Sequence, residues 1–65
     1  MIGRLGRRVK AQREARRMTQ EALAKKVGIH RVYLAQIEAS SKTPSLHTLE
    51  RLAKALGVKV TDLLD

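Results

Sequence analysis

The 65-residue chain contains no cysteine, tryptophan or phenylalanine, and it has a single tyrosine and a single proline. Without cysteine, neither a disulfide nor a thiolate zinc site can stabilise a small fold, so apolar side chains must form the core. No stretch approaches the roughly 20 apolar residues of a membrane span, and the N-terminal sequence lacks the apolar run of a signal peptide. A chain this short buries only about 60% of its unfolded surface. We therefore expect one domain over residues 1–65 and a cytoplasmic protein with no membrane contact.

The scarcity of aromatic residues and the abundance of Ala, Leu, Lys, Arg, Gln and Glu argue against strands and predict an all-α fold. Thr19, His30 and Ser45 stand where N-caps are expected, and Gly28 and Gly57 stand where helices end. The pattern predicts a compact fold of five helices: about 2–16, 20–27, 31–39, 46–56, and a short last helix capped by Thr61 and ending at Leu64. On the fourth helix, Leu46, Leu49, Leu52, Ala53 and Leu56 are predicted to line the inner face.

Acidic residues are also few, since 14 Lys and Arg oppose 6 Asp and Glu for a net charge of +8. Residues 1–31 hold ten basic and two acidic side chains, whereas residues 32–65 hold four of each. This asymmetry indicates a polyanionic partner. The alternative is that the basic residues only keep a small protein in solution, but that purpose does not require them in one half.

Two charged residues interrupt apolar stripes, Arg13 on the first helix and Glu38 on the third. Neither side chain tolerates burial alone, so the sequence predicts a partly buried Arg–carboxylate pair that fixes the angle of the third helix. The alternative is that both are exposed at the edges of their stripes.

The most informative spacing is Gln20-x3-Ala24-x3-Gly28-x5-Leu34-x2-Ile37. A small residue at Ala24 permits close helix approach, a glycine permits the turn, and Leu34 and Ile37 anchor the second of the two helices. This spacing is typical of a helix-turn-helix, which presents its second helix to a DNA major groove. An ordinary helical corner has the same spacing.

The predicted outward face of the third helix suits base edges. Arg31 and Gln36 can form bidentate hydrogen bonds to guanine and adenine, while Val32 and Ala35 permit close approach or contact with a thymine methyl. A protein contact is the alternative use of this face.

Several residues around this face are candidates for phosphate contacts. Gln20 begins a helix, where backbone N–H groups attract anions; His30 and Tyr33 flank the third helix, although Tyr33 can equally be a core residue. The complete predicted set is Gln20, His30, Tyr33, Lys42, Thr43 and Arg16. Neither histidine has the spaced partners of a metal site or a catalytic triad, so we expect no cofactor, no metal and no enzyme activity.

The segment from Met18 to Ile29, followed by Tyr33-Leu34-Ala35-Gln36-Ile37-Glu38, resembles the phage repressor and Cro type of helix-turn-helix domain, the Xre family. The likeness continues through Thr43-Pro44-Ser45-Leu46 and residues 52–58, and covers residues 2–64. The resemblance implies a lambda-repressor-like fold with helices two and three as the DNA-reading unit, the base-facing positions at Arg31, Val32 and Gln36, a phosphate contact at Gln20 and an ion pair between Arg13 and Glu38. Ser40 departs from the pattern, because the family often has Gly or Asn there, and His30 stands where Ser or Thr is frequent.

The leading hypothesis is a sequence-specific regulator of transcription, a repressor that binds double-stranded DNA at a palindromic operator as a homodimer. Val60, Leu63 and Leu64 are candidate dimer contacts, although the same residues can simply close the core. Two alternatives remain open: an antitoxin-like or adaptor module whose main partner is a protein, and a non-specific nucleic-acid binder.

Overall fold

The computed structural model describes residues 2–64, with side chains from Arg4 to Leu64, and is all-α with five helices over that range. The helices are α1 (Ile2–Ala15), α2 (Gln20–Val27), α3 (Arg31–Glu38), α4 (Leu46–Leu56) and α5 (Val60–Leu64). The predicted five-helix fold class is confirmed. Within the described range, no helix is long and apolar enough to cross a membrane.

Three of the four predicted N-caps, those at Thr19, His30 and Ser45, are confirmed. The Thr19 hydroxyl accepts a hydrogen bond from the N–H of Ala22 at 3.0 Å. Ser45 Oγ accepts from the N–H of Thr48 at 3.1 Å. At the start of α3, the imidazole of His30 is the cap and accepts a hydrogen bond from the N–H of Val32. Each cap satisfies one of the N–H groups that lack a partner in the first turn of a helix, so local chemistry sets where α2, α3 and α4 begin.

Residues with positive φ follow the ends of four of the helices. Gly28 and Gly57 follow α2 and α4 at φ 83° and 71°, as predicted. The end of α1 differs, because Arg17 adopts φ 56° and the helix stops at Ala15, one residue before the prediction. After α3, Ser40 adopts φ 63°. That conformation is one that Gly and Asn tolerate best, which explains the residue types expected at this position.

Two predictions about the C-terminal half are wrong. Thr61 does not cap α5, because the helix begins at Val60 and the acidic residue of its first turn acts instead: Asp62 Oδ2 accepts from the backbone N–H of Lys59 at 2.9 Å. Leu46 does not line the core, because it is the first residue of α4 and 67% of it is exposed.

The core lies between α1, α2 and α4, with α3 and α5 closing its sides. α1 packs against α3 and α5, and α2 packs against both α3 and α4. The described part of the chain measures 25 × 22 × 20 Å. The buried apolar residues are Leu5, Val9, Leu23, Ala24, Val27, Leu34, Ile37, Leu49, Leu52, Ala53, Leu56 and Leu63.

A glycine within α1 allows this helix to touch the backbone of α3. A Cβ atom at Gly6 would lie 2.5 Å from the carbonyl oxygen of Ile37 and 2.6 Å from that of Glu38. Any side chain at this position would therefore push α1 away from the C-terminal end of α3. Gly6 sets the distance between α1 and the helix that carries the candidate interface.

Candidate nucleic-acid interface

The predicted contact between Arg13 and Glu38 is present and connects α1 to α3. Arg13 Nε donates to Glu38 Oε2 at 2.7 Å, and Nη2 donates to Oε1 at 3.0 Å. The two side chains are only 9% and 3% exposed. The hydrogen bond to Glu38 raises the pKa of Arg13 above its ordinary value, against the opposing effect of burial. The bidentate geometry satisfies both charges inside the fold and holds α3 at a fixed angle to α1.

Gln20 extends this ion pair to the first residue of α3. Its Nε2 donates to Glu38 Oε1 at 3.1 Å, and its Oε1 accepts from Arg31 Nη1 at 3.5 Å, the upper limit for such a bond. Arg13 Nη1 also donates to the carbonyl oxygen of Met18 at 2.7 Å, which ties the α1–α2 connection to the same group. The sequence offers Gln20 as a phosphate contact or as a simple surface residue beside a cap, and it does not reveal this bridge, because no local pattern shows which side chain an amide will reach.

The outward side of α3 carries the four residues predicted to read bases. Arg31 is exposed, Val32 is 46% exposed, and Ala35 and Gln36 are half-buried. The opposite side of the helix, formed by Leu34, Ile37 and Glu38, is buried. We call the set Arg31, Val32, Ala35 and Gln36 the reading face. Because the one carboxylate of α3 is turned inward and paired, the reading face carries no negative charge.

His30 combines a structural contact with an unused donor at the edge of the reading face. Its Nδ1 accepts a hydrogen bond from the N–H of Val32 at 3.3 Å and thereby caps α3. With Nδ1 as the acceptor, the neutral ring carries its hydrogen on Nε2, which the cap does not use. Tyr33 is half-buried and packs against the core. The phosphate contacts of both residues remain predictions.

The loop after α3 is attached to the last turn of the helix. The carbonyl oxygen of Gln36 accepts from the backbone N–H groups of Ser41 at 2.9 Å and Lys42 at 3.2 Å. Lys42 and Thr43 are exposed beyond this attachment. The loop is thus tied at its start to the last turn of the helix that carries the reading face, with an exposed cation and an exposed hydroxyl following the attachment.

Arg16 lies just after α1 and donates from Nη1 to two oxygens of Gln12, the backbone carbonyl at 2.7 Å and the side-chain amide at 2.6 Å. The residue is exposed, as a phosphate contact requires. These hydrogen bonds hold the guanidinium group against its own helix, and the predicted contact with DNA stays a prediction.

The predicted dimer patch needs a correction. Leu63 is fully buried in the core and has no surface to offer to a second protomer. Val60 packs partly against the core, and Leu64 is 40% exposed. Only Val60 and Leu64 of the original set stay candidates for a dimer contact. A one-turn helix gives too little periodicity to distinguish Leu63 from Leu64 by sequence.

The site consists of two short helices joined by a glycine turn. The second helix is held from its inner side and presents arginine and amide side chains outward. This arrangement defines a helix-turn-helix protein. Residues 9–63 match the model of the helix-turn-helix family, and the chain belongs to that family. The resemblance to the phage repressor and Cro type is confirmed by its relatives.

Similar proteins include the immunity repressor protein of Bacillus phage phi105, which is 47% identical over 60 residues. That match covers 92% of this chain and 42% of the repressor, so the chain spans less than half the length of this relative. The crystal structure of the restriction-modification controller protein C.AhdI from Aeromonas hydrophila superposes with a TM-score of 0.91 at 31% identity, covering 95% of this chain and 94% of C.AhdI. A crystal structure of the biofilm master regulator SinR in complex with DNA gives a TM-score of 0.89 at 35% identity, covering 94% of this chain and 98% of the SinR chain in that structure.

Proposed function

We propose that this chain is a sequence-specific double-stranded-DNA-binding regulator of transcription that acts as a repressor. In this proposal α3 enters the major groove of a palindromic operator, and Arg31, Val32, Ala35 and Gln36 read base edges. The observation that carries the proposal is the attachment of α3: the helix is held from its inner side by a bidentate ion pair, while its outward side is free of negative charge. A solved relative, SinR, is in complex with DNA.

Phosphate contacts complete the proposed interface. The N-terminus of α2 at Gln20 supplies backbone N–H groups, and the Nε2 hydrogen of His30 supplies a further donor. Arg16, Lys42, Thr43 and the Tyr33 hydroxyl form the remainder of the set. These contacts fix the register of the protein on the duplex, and the reading face then selects the sequence.

The proposed assembly on DNA is a homodimer whose two α3 helices enter successive major grooves, about 34–36 Å apart. Val60 and Leu64 support the contact between protomers, because they form an apolar surface on α5 that the core does not fully cover. This patch is small, so we expect protomers to associate weakly in solution and to pair on the operator.

We propose a cytoplasmic location, with nucleoid association if the source is bacterial, and a single domain over residues 1–65. The proposed activity uses no metal or cofactor. Within residues 2–64, no three His, Asp or Glu side chains come together as ligands for a metal ion.

The experiment that tests the proposal is a selection from random DNA duplexes at about 150 mM salt, where non-specific binding is weakened. We expect enrichment of a palindrome with half-sites about one helical turn apart. The absence of any enriched sequence would contradict the proposal and favour a generic nucleic-acid binder or a module for a protein partner.

Replacing Gln36 by alanine is the matched test of base reading. The variant is expected to lose about 1–3 kcal/mol of discrimination at one base pair of the half-site, while its affinity for non-operator DNA stays the same. Equal affinity of both proteins for every base at that position would mean that Gln36 does not read DNA.

A further inference from the structure

Most of the positive charge lies outside the proposed operator interface. The cations assigned to that interface are Arg16, Arg31 and Lys42, whereas the net charge of the chain is +8. Among residues 4–64, the only salt bridge joins Arg13 to Glu38. No other cation among these residues lies within salt-bridge distance of a carboxylate, and two groups of the cations border surface depressions.

The first group lies on the solvent side of α1, and we call it the arginine face. Arg4, Arg7 and Arg8 surround the small side chain of Ala11 and form a depression of about 350 Å³. All four residues are exposed. Arg8 also donates to the carbonyl oxygen of Asp62 in α5 at 3.4 Å, a long contact that leaves the other nitrogens of its guanidinium group available.

This arrangement opposes the stability of α1. Arg4 is three residues from Arg7 and four from Arg8, spacings at which like charges repel one another on a helix. Arg4 also lies in the first turn of the helix, which contains no acidic residue, so the helix dipole adds to the repulsion there. An anion with several charges relieves both effects. Of the three arginines, only Arg8 forms a hydrogen bond to another helix within residues 4–64, so the fold uses neither Arg4 nor Arg7 in a hydrogen bond or salt bridge.

The second group has a structural role that the arginine face lacks. It borders a groove between α2 and α4 that is formed by Lys26, Val27, Arg51, Lys54 and Ala55. Lys26 and Lys54 lie in the last turns of their helices, where the dipole favours cations. The Arg51 guanidinium lies over Gly28, just beyond the end of α2. These cations stabilise helix ends, so their presence does not call for a ligand.

The arginine face and the reading face point to different sides of the molecule. α1 buries Leu5, Val9 and Arg13 and packs against α3 and α5, so Arg4, Arg7 and Arg8 point away from the core and from α3. The reading face is the side of α3 that points away from the same core. A duplex bound at α3 therefore leaves the arginine face open.

We propose that the arginine face binds the phosphate backbone of a second DNA duplex, so that the protein bridges two duplexes. The inference rests on the proposed function, since the first duplex is the one held by α3. Guanidinium groups fit phosphate oxygens in a bidentate manner. Four residues of helix span about 6 Å, and successive phosphates of one strand lie about 3.4 Å apart along the duplex axis, so the three arginines match two or three neighbouring phosphates.

The test measures whether protein bound to one duplex can hold a second duplex. The operator duplex obtained by selection is fixed to beads and saturated with the full chain, and a short labelled duplex without the operator is added. Three phosphate contacts predict that log K of capture falls with log salt with a slope of about −2.7, so that capture weakens roughly twentyfold between about 50 and 150 mM salt. Protein retained on the beads is measured in the same samples.

Two double variants with the same net charge separate the arginine face from charge in general. R4Q/R7Q removes two of the three arginines and keeps the contact of Arg8 with α5, while K26Q/K54Q removes two cations from the α2–α4 groove. We expect R4Q/R7Q to reduce the slope of capture to about −0.9 and K26Q/K54Q to leave it near −2.7. Both should retain the operator as the parent protein does. R4K/R7K should keep the parent slope, because it keeps the charge.

The outcomes are distinct. Equal capture by R4Q/R7Q and the parent protein overturns the inference, as does equal loss in R4Q/R7Q and K26Q/K54Q, which would reflect net charge alone. If the second α3 of a dimer holds the labelled duplex, and the arginine face does not, then R4Q/R7Q and the parent protein capture it equally, which also overturns the inference. If no protein is retained on the operator, the proposed function fails. The arginine face is then tested by titrating the protein directly with the labelled duplex. In that titration, the slope of log K against log salt should be smaller in magnitude by about 1.8 for R4Q/R7Q than for the parent protein. Circular dichroism checks that each variant is helical.

Discussion

Breaking the ion pair between Arg13 and Glu38, which holds α3 against α1, should cause a large loss of stability. Replacing Glu38 by glutamine keeps the shape of the side chain and removes its charge, which leaves a guanidinium group that is 9% exposed without a counter-charge. Breaking a buried pair in this way costs about 3–5 kcal/mol. The amide oxygen can still accept one hydrogen bond, so we expect a loss of about 3 kcal/mol. A chain of 65 residues has a total stability of roughly 3–10 kcal/mol, and the variant should lose a large part of it.

Urea unfolding followed by far-ultraviolet circular dichroism measures this loss as a lower midpoint at an unchanged m-value. The matched control is the double variant R13M/E38Q, which removes both charges. It should lose only about 1–2 kcal/mol, chiefly because the carbonyl oxygen of Met18 then lacks its hydrogen bond from Arg13. The reasoning is refuted if E38Q unfolds within about 1 kcal/mol of the parent protein, or if the double variant is less stable than E38Q.

Three further predictions concern backbone and cap. Gly6→Ala should lower the free energy of unfolding, measured in urea, by about 1–3 kcal/mol, because the new Cβ would lie 2.5 Å from a carbonyl oxygen of α3. In a free helix the same change stabilises by about 1 kcal/mol, and a gain of that size here would contradict the close approach. Arg17→Gly should stabilise by about 0.5–1 kcal/mol, because φ is 56° at this residue, and a lower thermal midpoint would oppose that expectation. His30→Ser should keep the cap of α3, whereas His30→Ala should lose about 1 kcal/mol. If Nε2 binds phosphate, both variants weaken operator binding in a titration; a loss in the alanine variant alone would limit His30 to capping.

The parts of the fold that sequence predicts well are those that local chemistry determines. Thr19 and Ser45 have hydroxyl groups at the right distance before apolar stripes, and Gly28 follows directly on the last apolar residue of α2. The pairing of Arg13 with Glu38 follows from two opposite charges on stripes that must be buried. The residues of a single helix are enough to predict the caps and the glycine at the helix end, and the opposite signs of two charges are enough to predict the ion pair.

The features that sequence missed depend on where helices meet or on what lies beyond a helix end. Leu46 continues the apolar spacing of α4, but the first residue of the helix extends past the neighbouring helices. Lys59 has no side chain able to cap α5, and the acceptor comes from Asp62 further along. The close approach of Gly6 to the α3 carbonyls depends on how two helices meet, and nothing in the sequence of α1 indicates it. The bridge made by Gln20 needs three elements in place at once.

The reading face has a consequence for how such a protein can change its target. α3 is attached to the rest of the fold through Leu34, Ile37 and Glu38, while the side chains of Val32, Ala35 and Gln36 take no part in the hydrogen bonds of the described fold. Substitutions at these three positions therefore break none of the side-chain hydrogen bonds that hold α3 to the other helices. A chain built this way can acquire a new operator preference through a few changes on one helix, without a compensating change in its core.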